Sequence, residues 1–404
     1  MLEKKKIILG VTGGIAAYKA AELTRALIKA GASVHVIMTK NATEFLTPLT
    51  LQTLTGNPVY TDTFTLTGEW EIGHVSLAES ADAVVIAPAT ANFIGKAAAG
   101  IADDLLTTMI LATRAPVLIC PAMNVNMYAN ATVQENISKL KARGFAFVEP
   151  ASGELACRSE GVGRLADLED ILEEVESALT EKDLAGERIL VTAGPTREPL
   201  DPVRFITNHS SGKMGYAVAI MARRRGADVT LISGPTSLPV PRGVRFIAVE
   251  TAVEMRDAVL KEMKDATAII KAAAVADYRP ESFSASKIKK KAGPMMLPLA
   301  RNPDIIAEVG EKKGKRILVG FAVETDQLVE YAKKKMVQKN MDLIVANDIT
   351  QAGAGFQAET NIVKILDREG GAEDLPLMDK KRVADRILDR VKILRKKTPG
   401  AKGR

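Results

Sequence analysis

The apolar positions of this chain fall mostly into short unbroken runs rather than long alternating ones. The first is Ile7-Ile8-Leu9-Gly10-Val11. A run of this length, closed by small residues, fits a strand buried on both faces of a sheet. Thr12-Gly13-Gly14 follows as a turn, and a helical pattern then covers residues 15–30 until Gly31 ends it. Residues 34–38, 84–87 and 117–120 give further buried strands, and 168–179 an amphipathic helix. The pattern restarts after the charged stretch 180–187. Strands are predicted at 189–192, 229–233, 269–273, 317–320, 343–346 and 362–366, with helices at 212–225 and 380–395. Such alternation predicts an α/β fold of two Rossmann-like domains with parallel sheets. The expected division is 1–185 and 186–404, with a solvated basic tail from about residue 396.

Composition narrows the class without choosing a chemistry. No apolar run approaches the roughly 20 residues of a membrane-spanning helix. The opening Met1-Leu2-Glu3-Lys4-Lys5-Lys6 leads straight into a strand with no signal-peptide core, so a cytoplasmic protein is expected. Cys120 and Cys157 cannot build a disulfide framework. Together with His35, His74 and His209 they lack zinc-site spacing, so no metal ligand is assigned. The net charge of +6 gathers around Lys287-Ile288-Lys289-Lys290-Lys291 and in the tail, which suits anionic substrates. Aromatics at 4% are too few to stack single-stranded nucleic acid.

Gly13 and Gly14, before a helix, let the backbone approach a phosphate. The segment is not G-x-G-x-x-G, however. The second strand ends Met38-Thr39-Lys40, without the acidic residue that would hold an adenosine ribose. This disfavours a nicotinamide dinucleotide and favours a mononucleotide, with Thr12, Thr39 and Asn41 as contacts. Gly73-His74, Pro88-Ala89-Thr90-Ala91-Asn92 and Pro121-Ala122-Met123-Asn124-Val125-Asn126-Met127-Tyr128 also stand out. The last two follow strand ends, where open α/β sheets bind ligands.

In this order the three segments resemble the flavin-containing cysteine decarboxylases. Residues 153–164 resemble the substrate-covering flap of the phosphopantothenoylcysteine decarboxylases. The resemblance implies FMN held by Gly13, Gly14, Thr39, Asn41, Pro88, Ala89, Thr90, Asn92 and Met123. The flavin would accept a hydride from the carbon bearing sulfur, so that CO₂ leaves as an enethiol forms. By the same resemblance His74 is the base or orienter at the thiol, and Asn124 holds the departing carboxylate. Cys157 reprotonates the enethiol, and Arg164 contacts substrate. Arg158 departs from the family, which often has glycine there. Cys120, at a strand end, is expected to pack in the core.

In the second half, Gly212-Lys213 at a helix start suggests a P-loop, but Met214 stands where a hydroxyl would hold magnesium. Residues 193–204, 208–215, 272–278, 287–290, 302–305 and 320–325, in this order, resemble the phosphopantothenate–cysteine ligases of the fused bacterial type. The resemblance implies that CTP activates 4′-phosphopantothenate as an acyl cytidylate, from which the cysteine amine displaces CMP. Cations must then be fixed along the phosphates, with Mg²⁺ bridging them. Lys287 is the first candidate, followed by Lys289, Lys335 and Lys339. Asp277, Pro303, Asp304, Ile305, Ile306 and Phe321 would surround the nucleotide, and Asn208 would act on the acyl intermediate. The ligase product would be the decarboxylase substrate, in coenzyme A synthesis. The family further implies a homo-oligomer, a dodecamer built from flavin-domain trimers with ligase domains paired as dimers. Two alternatives stay open at this point: a flavin-dependent oxidoreductase, and a non-catalytic nucleotide- or nucleic-acid-binding protein.

Overall fold

The unbroken apolar runs find their cause in two sheets that are each covered on both faces. The computed structural model describes residues 2–63, 73–154, 160–290, 293–324, 328–348, 355 and 357–397. It divides into two units, Met1–Thr180 and Glu181–Arg404.

The first unit is built on six parallel strands: β1 (Lys6–Val11), β2 (Ser33–Met38), β3 (Val59–Tyr60), β4 (Ala83–Ala89), β5 (Val117–Pro121) and β6 (Ala146–Phe147). Their order is β3-β2-β1-β4-β5-β6. Successive residues of β1 go to opposite faces. Ile7, Leu9 and Val11 pack with Leu23 and Leu27 of helix Lys19–Lys29 and with Ile171 and Val175 of helix Leu168–Ala178. Ile8 packs with Ile94, Leu106 and Met109 on the other side. The helix expected from residue 15 begins as a 3-10 turn, Ile15–Tyr18, before Lys19–Lys29. Cys120 is fully buried, as its strand-end position implied, and burial pushes its thiol far up. An antiparallel hairpin, β7 (Ala151–Glu154) and β8 (Glu160–Arg164), follows the sheet.

The second unit opens with β9 (Arg188–Ala193), then a short ribbon of β10 (Arg197–Pro199) and β11 (Phe205–Thr207). β12 (Asp228–Ser233), β13 (Arg245–Ala248) and β14 (Ala268–Lys271) rejoin the sheet. A second ribbon, β15 (Tyr278–Pro280) and β16 (Leu299–Arg301), leaves it. β17 (Ile317–Glu324), β18 (Leu343–Asp348), β19 (Thr360–Asp367) and β20 (Ala372–Asp379) complete the order β13-β12-β9-β14-β17-β18-β19-β20. The first six are parallel, as expected, whereas β19 pairs antiparallel with β18 and β20 antiparallel with β19. β20, at the sheet edge, has acids at 373, 374 and 379 and Pro376 inside its short apolar stretch, so it does not read as a strand. One face packs on helices Lys213–Arg224 and Lys380–Lys397 through Val218, Ala222, Ile387 and Val391. The strand expected through residue 273 stops at Lys271. Ala272 and Ala273 instead turn their N–H groups to Thr192, at 3.2 Å for each bond.

The charged stretch after Thr180 is fixed to the second unit. Asp183 accepts two hydrogen bonds from Arg225, both 2.8 Å, and one from Lys392 at 2.6 Å. Arg225 also pairs with Asp385 and Asp389 of the C-terminal helix. Burial alone would raise Asp183, but Arg225 and Lys392 hold it down at about 2.

Candidate active sites

In each sheet the strand order reverses direction once, between β1 and β4 in the first unit and between β9 and β14 in the second. At such a switch point the connections leave to opposite sides and a crevice opens past the strand ends. Both candidate sites lie there.

In the first unit Thr12 bridges the reversal. Its Oγ1 donates to Pro88 O at 2.8 Å and accepts from Thr90 N at 3.0 Å. Thr90 in turn caps helix Ala91–Ala99. Gly13 lies against Asn41 so closely that a Cβ there would sit 2.4 Å from the Asn41 Cβ. Thr39 presents a buried hydroxyl with no hydrogen-bond partner among the described residues. An orphaned donor beside close-packed glycines fits a bound mononucleotide. A Cβ on Gly14 would lie 3.6 Å from Thr90 Cγ2, Ala89 is buried, and Asn41 and Asn92 are exposed. Ala122 N donates to Ala89 O at 3.0 Å, joining the β4 and β5 ends, and Met123 N donates to Gly163 O at 3.0 Å. That second bond ties the β7–β8 hairpin beside Asn124, which caps helix Val125–Ala129 through Asn126 N at 2.8 Å. Arg164 is exposed on β8, 4.0 Å from Asp167. Cys157 and Arg158 lie outside the described residues, as does the side chain of His74 in the first turn of helix Gly73–Ser80.

The second site is a cavity of about 750 Å³. After β9, Gly194 O accepts from Ala274 N at 3.0 Å and Thr196 N donates to Ala274 O at 3.3 Å, bridging the reversal at Pro195, and Thr196 Oγ1 accepts from Ala276 N at 3.0 Å. The 272–278 segment is thereby held as one wall. The start of helix Lys213–Arg224 forms a second wall and residues 301–306 a third. Asp277, Pro303, Asp304, Ile305, Ile306, Phe321, Lys335 and Lys339 all line it. Lys339 pairs with Asp304 at 2.8 Å. Burial would raise Asp304, yet Lys339 and the Ala307 N–H bring it below the usual carboxylate range.

Asn208 does not line the cavity, but its Nδ2 donates to Ala274 O, one of the wall residues, at 3.1 Å. Lys287 and Lys289 are exposed and are not among the lining residues. The neighbouring Ile288 is anchored, with its N–H donating to Asp201 at 3.1 Å and its carbonyl accepting from Arg204 at 3.1 Å. Arg204, first among several donors, holds the Asp201 carboxyl far below its ordinary range. The site also contains residues that the sequence analysis left unassigned: Lys271, Arg301, Asn347, Asn361 and Lys380. The Oδ1 atoms of Asn347 and Asn361 are buried without a partner among the described residues. Lys213, set aside with the failed P-loop, also lines the cavity. It donates to Glu359 at 2.5 Å and to Gln357 O at 2.7 Å.

No helix among the described residues is long and apolar enough to cross a membrane. The flavoprotein family model matches residues 1–180. The model of the DNA/pantothenate metabolism flavoprotein C-terminal domain matches 184–394. Three relatives bear the name Coenzyme A biosynthesis bifunctional protein CoaBC. That of Bacillus subtilis is 50% identical over 402 residues, covering 98% of this chain and 99% of the relative. That of Vibrio cholerae is 49% identical, covering 96% and 98%. That of Escherichia coli K12 is 46% identical, covering 96% and 97%. The likeness runs through both switch-point sites, and the chain belongs to the bifunctional coenzyme A biosynthesis proteins, enzymes with phosphopantothenoylcysteine decarboxylase and phosphopantothenate–cysteine ligase activities.

Proposed function

We propose that the first unit binds FMN and decarboxylates 4′-phosphopantothenoylcysteine, and that the second makes that compound from 4′-phosphopantothenate and cysteine at the expense of CTP. The observation that carries the ligase reading is the convergence of Asp277, Asp304, Phe321, Lys335 and Lys339 on one cavity. A carboxylate attacking a triphosphate meets like charge, so ammonium groups fixed along the cavity lower that barrier. No group of three His, Cys, Asp or Glu among the described residues could hold a metal. Mg²⁺ would therefore ride mainly on the nucleotide phosphates and keep several waters. Lys287, next to the anchored Ile288, supplies a further cation to the phosphates, and Asn208 acts on the acyl intermediate.

In the first unit FMN supplies the electron sink that a cysteinyl carboxylate lacks. Gly13, Gly14, Thr39 and Thr90 hold its phosphate end, while Pro88, Ala89, Asn92, Asn41 and Met123 shape the rest. The Asn124 carboxamide donates to the substrate carboxylate, His74 orients the thiol, and Arg164 steadies the substrate. Cys157 gives up its thiol proton to the enethiol carbon.

The assembly is a homo-oligomer in the cytoplasm, a dodecamer with paired ligase domains. Exposed Val203, Phe205, Tyr278, Phe283, Met296 and Leu299, on or beside the two ribbons, supply apolar area for that pairing. Incubating the purified protein with 4′-phosphopantothenate, cysteine, CTP and MgCl₂ tests the reading. Bound FMN, CMP release and 4′-phosphopantetheine by mass are expected. Release of AMP from ATP instead, or no nucleotide cleavage, overturns the CTP assignment.

A further inference from the structure

Lys271 ends β14 and projects the strand into the ligase cavity. Its backbone neighbours across the sheet are Thr192 of β9 and Gly320 of β17, neither of which can be charged. The charged groups facing it come from three other places. Asp304 caps helix Ile305–Lys312, Lys335 and Lys339 close helix Leu328–Gln338, and Asp277 follows β14. Asp304 is already engaged by Lys339 and by Ala307 N, at 2.8 and 3.1 Å. Among the described residues Lys271 Nζ has no hydrogen-bond or ion-pair partner. Three ammonium groups thus crowd one wall whose nearest ion-paired carboxylate is taken.

We propose that Lys271 is a further phosphate-binding cation of the ligase cavity, and that it takes up its proton as a nucleoside triphosphate arrives. The inference deepens the CTP reading and rests on it. Burial draws the Lys271 ammonium down to about 8. Asp304 and Asp277 oppose that fall, and Lys339 and Lys335 add to it. A polyphosphate reverses the balance, because it neutralises the two neighbouring lysines and offers Nζ acceptors. The free lysine loses its proton as pH rises through about 8, whereas the bound one keeps it to higher pH. Affinity is therefore complete below that pH and falls as pH climbs toward the bound-state value.

Titration calorimetry of CTP with MgCl₂ into the full chain, at pH 8.5 in two buffers of different ionisation enthalpy, measures the proton count. The wild type should take up a fraction of a proton per CTP, since pH 8.5 lies above the free lysine's value of about 8. Cytidine should bring none. Lys271→Met should abolish the uptake, flatten the pH profile and weaken CTP roughly tenfold at pH 7. Lys271→Arg should keep affinity but lose the uptake, since a guanidinium stays charged, and it covers the case in which the methionine variant does not fold. Undiminished uptake in either variant, or full uptake with cytidine, overturns the proposal for Lys271 alone. No CTP binding by the wild type overturns the nucleotide reading itself and takes this inference with it.

Discussion

The two units share a sheet frame and a switch point, yet they fill that point with opposite chemistry. At the first, strand ends deliver hydroxyls and small residues: Thr12, Gly13, Thr39, Ala89 and Thr90. At the second, lysines arrive from a strand, from the end of one helix and from the starts of two others: Lys271, Lys335 and Lys339, and Lys213 and Lys380. The difference follows from what each ligand demands. A resident cofactor needs close backbone approach and fixed orientation, and its own ring does the electronic work. A triphosphate under attack by a carboxylate needs charge compensation. The frame decides where a ligand sits, and the side chains decide which ligand it is.

The contrast breaks most visibly at Cys157. Cys157→Ser should slow decarboxylation on the order of 10²–10⁴-fold, the usual worth of a positioned acid, with CMP release unchanged. Normal 4′-phosphopantetheine output from that variant removes the thiol from the reaction. The complementary change is Lys339→Ala, which leaves Asp304 without its partner inside the cavity. CTP-dependent kcat/KM should drop roughly 10- to 100-fold while bound flavin and decarboxylation stay as they were. Equal losses in both reactions would mean that the two chemistries are not separable in this way.

Two smaller effects sharpen the first site. Gly13→Ala forces a methyl against Asn41, where the gap to its Cβ is 2.4 Å. About 1–3 kcal/mol of stability should be lost, with a lower flavin-to-protein ratio after gel filtration. An unchanged ratio would show that the turn is not a cofactor cradle. Thr39→Val removes a buried hydroxyl that has no partner among the described residues. The flavin-free protein should melt within about 1 kcal/mol of wild type, while flavin affinity falls several-fold. A large loss in the flavin-free protein would mean that Thr39 serves the fold instead.

Much of this frame was legible because burial on both faces leaves unbroken apolar runs, as in residues 7–11 and 343–346. The runs fail where strands are short, charged or off the main sheet. β13 has no buried residue, β20 has acids toward both ends and a proline in its middle, and the two ribbons have only three residues a strand. Motif order named Asp277 and Asp304, and helical spacing named Lys335 and Lys339; all four line the cavity. Neither could find Lys271, because a lone lysine closing an apolar strand carries no spacing signal. Nor could either find Asn347 and Asn361, which reach one cavity from β18 and β19 only once those strands lie side by side as an antiparallel pair. Lys287 shows the opposite case, since its motif matches but its side chain is exposed away from the lining residues.

The clamp between Asp183 and Arg225 decides where this polypeptide could be split into two separate gene products. A fragment begun at β9 would leave the Arg225 guanidinium, 5% exposed, without the carboxylate that grips it from two sides. Removing one member of a buried pair commonly costs about 3–5 kcal/mol, enough to unsettle a domain of modest stability. A fragment begun at Glu181 would bring its own fastening for the C-terminal helix. The seam in the enzyme thus sits upstream of the residues that look most like a spacer, and a natural fission event would have to respect it.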